Sequence, residues 1–154
     1  MTAPASVRLS PAEVGRLAWL CSAAHLTIDL DELQQGVPAA QRLAPRLHGT
    51  SVLLGRRQHH AETASARLDT PVIIDPPATA GLLGLLDQAA AYLEAFADRG
   101  EAGGSLPGPQ RFREQAATLR AWRADLAGLA ERQHGRACGE RPGPAEQARG
   151  VVER

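Results

Sequence analysis

Cys21, His25 and Asp29 stand four residues apart. On a continuous helix that spacing projects a thiol, an imidazole and a carboxylate from one face, a soft, an intermediate and a hard metal ligand. His59, His60 and Glu62 are further donors that a fold could bring alongside. The competing role is structural. Cys21 and His25 share their stripe with Val14, Leu17 and Ile28, where a small buried thiol and a hydrogen-bonded imidazole are ordinary core residues. Metal sites inside helical bundles are usually built from paired Glu and Glu-x-x-His ligands, an arrangement this chain does not show. The structural role is therefore favoured and no cofactor is expected, with a metal-binding helical bundle through Cys21, His25, His59 and His60 as the alternative.

The run Arg56, Arg57, Gln58, His59, His60 is the densest positive segment, and phosphate contact is the chemistry it offers. No aromatic residue interleaves with it for base stacking, and the chain's formal net charge is zero, so a solvated helix face explains it better. Upstream, Arg42 and His48 are separated by five residues. That spacing resembles the Arg-x5-His motif of the helical HEPN nucleases. The resemblance implies a helical bundle that cleaves RNA, with Arg42 and His48 as its catalytic pair. It covers residues 42–48 only. Pro45 stands inside the motif, the chain has no Asn, and the motif falls early rather than in a late helix.

The segment Ser10 to Leu26 looks like the opening of a helix-turn-helix. Its second helix would run from Ser22 to Leu33, and that stretch carries Asp29, Asp31 and Glu32 instead of side chains that read base edges or attract phosphate. A nucleic-acid partner is disfavoured. All 17 basic residues are Arg, and a chain without Lys forms no Schiff base and supplies no phosphate-binding lysine of a P-loop. Neither a Gly-x-Ser-x-Gly elbow nor a Cys-x-x-Cys pair is present.

Among 154 residues, 44% are hydrophobic but only 3% aromatic, so one core must be assembled from Leu, Val, Ile and Ala. Such a core suits closely packed helices. Met1 to Val7 has neither the basic stretch nor the apolar run of a secretory signal, and no apolar run approaches the roughly 18 residues of a membrane span. The expected address is cytoplasmic, without membrane association. Cys21 and Cys138, far apart in sequence, are expected to be reduced thiols.

Ser10, Pro11 and Glu13 form a capping box before the stripe Val14, Leu17, Ala18, Cys21, His25, Ile28. A second capping signal at Asp29 and Glu32 suggests that this helix stops near Leu26, with a turn through Leu33 to Gly36. Pro38 opens the next helix, carrying Leu43, Leu47, Leu54 and Ala61 on one stripe, with Pro45 as a kink or restart. Thr70 to Pro77 cannot be helical throughout and reads as an irregular, Pro-rich crossover packed by Val72 to Ile74. A third helix from Pro76 or Ala78 presents Leu82, Leu86, Ala89, Leu93 and Phe96 and ends at Gly100. After a Gly/Pro-rich linker, a fourth runs from Gln110 to His134 with Phe112, Ala116, Leu119, Trp122, Leu126 and Leu129 inward. The expected fold is all-α. A flexible N-terminus over residues 1–9 precedes an antiparallel bundle of about four helices over 10–134, and a disordered tail follows over 135–154.

Without an assembled motif, the expected function is that of a small interaction or accessory protein without catalysis. It would associate through an apolar helix face with a protein partner or a second copy. Trp19 and Trp122 are the residues large enough to anchor such an interface.

Overall fold

Ser10 opens the first helix with the reciprocal bonds that its spacing to Glu13 requires. The Glu13 N–H donates to Ser10 Oγ at 3.2 Å and the Ser10 N–H to Glu13 Oε1 at 3.1 Å. The computed structural model describes residues 5–31, 38–64, 71–103 and 109–139. In chain order these form β1 (Val7–Leu9), α1 (Pro11–Asp31), α2 (Pro38–Ala64), β2 (Val72–Ile74), α3 (Pro76–Gly103) and α4 (Pro109–Gly139). The fold is an all-α bundle with one small antiparallel strand pair.

The helices form two antiparallel hairpins. Gln58 lies against Gly15, Ser51 Oγ donates to the Ala18 carbonyl at 2.8 Å, and His25 Nδ1 reaches the Ala44 carbonyl at 3.1 Å, so α2 descends as α1 climbs. On α3 and α4, Arg113 pairs with Asp98, Arg120 with Glu94 and Arg123 with Asp87, again in opposite directions. The stripes read from sequence meet in one core. Leu17, Leu47, Leu86, Leu93 and Leu119 are fully buried, and Phe96 meets Phe112 edge to face at 5.0 Å.

Several boundaries differ from the sequence reading, and α3 runs to Gly103 rather than ending at Gly100. α1 does not stop near Leu26. Ala24 and Ile28 extend the buried stripe, and their burial outweighs the capping signal at Asp29. With α1 continuous to Asp31, there is no turn from which a helix-turn-helix could begin a second helix at Ser22. α2 passes through Pro45 as one element, with no restart. Gln41 and Pro45 are both exposed, so water can take the carbonyl that proline leaves without its intrahelical donor. α4 continues through Gly135 to Gly139, which shortens the expected tail; residues 140–154 lie outside the described residues, as do the 33–36 turn and the side chains of Asp29 and Cys138.

The largest difference is at the N-terminus. Val7–Leu9 is no flexible lead-in but a strand, paired antiparallel with Val72–Ile74 in the register Val7↔Ile74, Arg8↔Ile73, Leu9↔Val72. Val7, Leu9, Val72 and Ile74 are buried while Arg8 and Ile73 face out, the two-residue period of a half-buried ribbon. The Pro-rich crossover is thus ordered by a partner remote in sequence. Both edges of the ribbon are closed by side chains. Gln133 of α4 accepts the Arg8 N–H at 2.7 Å and donates to the Arg8 carbonyl at 3.1 Å, standing in for a third strand. On the other edge, the Arg57 guanidinium of α2 donates to the Ile73 carbonyl at 2.5 Å. β2 then leads directly into α3. Asp75 caps it through Oδ1 to the Ala78 N–H at 2.8 Å, and the buried Thr79 hydroxyl satisfies itself on the Ile74 and Asp75 carbonyls.

Gln133→Ala is expected to lower unfolding free energy in urea by about 1 to 2 kcal/mol, since two backbone groups lose their partner. Gln133→Glu, which keeps the length but cannot donate to the Arg8 carbonyl, should lose at least half of that. Unchanged midpoints in both variants would show that the clamp contributes nothing.

Candidate functional site

Among the described residues, the metal-ligand candidates Cys21, His25, His59 and His60 are not brought together. Cys21 is fully buried in the core, and burial alone pushes its thiol up to about 11. His25 is half-buried and turned toward α2. A carbonyl can only accept, so its Nδ1 carries the proton given to Ala44, and its ring lies 5.0 Å from that of His48, tilted by 42°. His59 and His60 are exposed at the opposite end of the hairpin, eleven residues or more beyond His48, about 16 Å along the helix axis. Among the described residues no three His, Cys, Asp or Glu side chains are placed to hold a metal ion. The four-residue spacing was sound as helical geometry. It failed as a site because Cys21 points inward while His25 faces the neighbouring helix.

Arg42 and His48 are likewise separated. Six residues of helix turn them to directions about 120° apart, and both are exposed, with His48 leaning on His25 rather than facing Arg42. The run Arg56 to His60 wraps the helix instead of forming one face. Arg57 turns to β2, Gln58 turns to Gly15 and Glu62, and Arg56, His59 and His60 are exposed. A Cβ at Gly15 would lie 2.5 Å from Gln58 Nε2, so the missing side chain there lets the Gln58 amide rest on α1.

Two surfaces take shape instead. The first is the outer side of the α1–α2 hairpin. The Ser51–Ala18 bond marks the line where the helices meet. Trp19 and Val52 each stand one residue further round, and in an antiparallel pair that step carries both to the same side. Leu26 lies two turns along from Trp19, and His48 one turn back from Val52. Trp19 is 71% exposed, Leu26 52% and Val52 39%. Trp122, the other anchor expected from sequence, is half-buried against the core and leaves the interface set.

The second surface is a groove of about 430 Å³ between α2 and α3, closed at one end by β2. Leu53, Leu54 and Ile74 line one side and Leu82 and Leu85 the other, with Arg46 and Arg57 at the rim. Leu54 and Leu82 are buried and Arg57 is exposed, as their stripes predict, and it is the opening between the two helices that those stripes do not show. The usable signal was the eleven-residue interval from Arg46 to Arg57, close to three helical turns, which sets both on one stripe with Leu53 and Thr50 between them.

Charge divides sharply between the hairpins. Arg113, Arg120 and Arg123 each meet a carboxylate across α3 and α4, and the Arg120 bond holds Glu94 below the usual carboxylate range. α2 carries four arginines against one glutamate, and neither Arg46 nor Arg57 forms an ion pair among the described residues. No helix of the described residues is long and apolar enough to cross a membrane. Comparison with protein-family models, with curated proteins and with solved structures returns no match.

The Cys21 thiol should resist a thiol reagent at pH 8 until the protein unfolds. Its folded pKa lies above the unfolded value of 9.0, so the neutral thiol's contribution is fully present below pH 9 and is lost as pH rises toward 11. Wild type should therefore lose about 2 to 3 kcal/mol more over that window than Cys21→Ala does. Parallel losses in both proteins would place Cys21 elsewhere than in the core.

Proposed function

We propose that this chain is a small helical interaction protein without catalytic chemistry of its own, associating through the outer face of the α1–α2 hairpin. One observation carries the reading: Trp19 stands 71% exposed on the same stripe as the 52% exposed Leu26, beside Val52 of the neighbouring helix. An exposed tryptophan costs free energy in water, and a cluster of such residues is the usual centre of an interface. Small residues surround it. Ser22 is small and a Cβ at Gly55 would meet nothing within 4 Å, so a second helical hairpin could lie against this face.

A second copy of the chain is the simplest occupant, because two equivalent Trp19 faces are self-complementary about a two-fold axis. The noncatalytic reading is supported by the separation of Arg42 from His48 and by the dispersal of Cys21, His25, His59 and His60 described above.

Sedimentation equilibrium at tens of micromolar is expected to show a dimer. Trp19→Arg should raise the dissociation constant by about tenfold or more while leaving the far-ultraviolet circular dichroism unchanged, since the residue is exposed. A wild-type protein that stays monomeric at this concentration, or a variant that dimerises as well as wild type, would overturn this assignment.

A further inference from the structure

Beyond that face, we infer that the groove between α2 and α3 is a second docking site, shaped for an apolar helical segment of a partner protein flanked by acidic residues. The groove lies on the side of α2 turned away from Trp19, so this surface is independent of the first. Its walls are aliphatic, and Leu53 at its lip is 59% exposed. Gly49 and Gly81, whose Cβ positions meet nothing within 4 Å, open the trough between the helices. A half-open trough bounded by two helices suits insertion of a third helix by its apolar stripe.

The rim specifies the charge. Each of the two guanidiniums holds a neutral acceptor. Arg46 donates to Gln88 Oε1 at 2.7 Å and Arg57 to the Ile73 carbonyl. Neither acceptor neutralises the cation, whereas the arginines of α4 that line its seam with α3 are paired with carboxylates. A guanidinium has five donors, and a carboxylate can engage those left over. The two cations stand about 16 Å apart along α2, with Leu53 between them. The matching ligand is a helix with an apolar stripe and carboxylates three turns apart. A single-headed fatty carboxylate would engage one arginine only, and a nucleic acid has no apolar stripe to place against Leu53, Leu82 and Leu85.

The test uses two labelled synthetic helices of about eighteen residues, with leucines on one stripe and either Glu or Gln at two positions eleven apart. Fluorescence anisotropy with the full chain is expected to show the Glu peptide binding about tenfold tighter than the Gln peptide. Arg46→Gln combined with Arg57→Gln should bring the two affinities within about twofold of each other. Leu53→Asp, at an exposed position where folding is retained, should abolish binding of both. The proposal fails if the peptides bind equally to wild type or neither binds. It also fails if Leu53→Asp leaves binding intact, or if oleate or a single-stranded RNA binds in an Arg46- and Arg57-dependent manner while the Glu peptide does not. Trp19→Arg should leave all of these affinities unchanged, which separates this site from the first.

Discussion

Three residues of the N-terminus hold the two hairpins of this protein in register. β1 pairs with β2, the segment that joins α2 to α3, and the ribbon's free edges are taken by Gln133 from α4 and Arg57 from α2. One short ribbon therefore touches elements from both halves of the chain. Its hydrogen bonds are individually modest, about 0.5 to 1.5 kcal/mol each. The burial of Val7, Leu9, Val72 and Ile74, at roughly 1.5 to 3 kcal/mol per side chain, is the larger contribution. The bonds decide geometry and the aliphatic side chains decide stability. A two-stranded ribbon alone is marginal in water, so it depends on the helices as much as they depend on it.

That arrangement also explains why a groove exists. β2 fixes where α3 begins, through Asp75 and Thr79, and it does so at a distance from α2 set by the ribbon and the Arg57 side chain. α1 packs closely on α2 and α3 on α4, but α2 and α3 meet sparsely, and the space between them remains open above Leu54 and Leu82. Charge separates the two seams of α3. Across α3 and α4, arginines find carboxylates on the neighbour. On the α2 side, at Arg46 and Arg57, the cations are left to neutral acceptors. Exposed ion pairs contribute little to stability, typically below about 1 kcal/mol, so the asymmetry matters for what can bind rather than for whether the chain folds.

Chemistry-bearing residues illustrate how far spacing can mislead. Cys21 and His25 do lie one turn apart on a single helix, as the interval of four implies. Yet a helix face is wide, and 40° of rotation is enough to put one side chain in the core and the other against the next helix. The same geometry that disperses the ligands concentrates Trp19, Leu26 and Val52. They occupy a side of the α1–α2 hairpin where each remains exposed.

Much of the fold could be read from residues close together in sequence. The Ser10–Glu13 capping box, the buried series Leu82, Leu86, Ala89, Leu93, Phe96 on α3, and the series Phe112, Ala116, Leu119 on α4 all rest on intervals of three or four, and hydrogen bonds and side-chain contacts within a helix span no more than that. Tertiary packing decided what no local interval encodes. It paired Val7–Leu9 with a strand more than sixty residues away, and it carried α1 past a capping signal because Ile28 had a core to enter. It also determined which arginines met carboxylates, which tryptophan stayed in water, and where two helices failed to close. Those outcomes depend on distances between elements, and such distances exist only once the elements have packed.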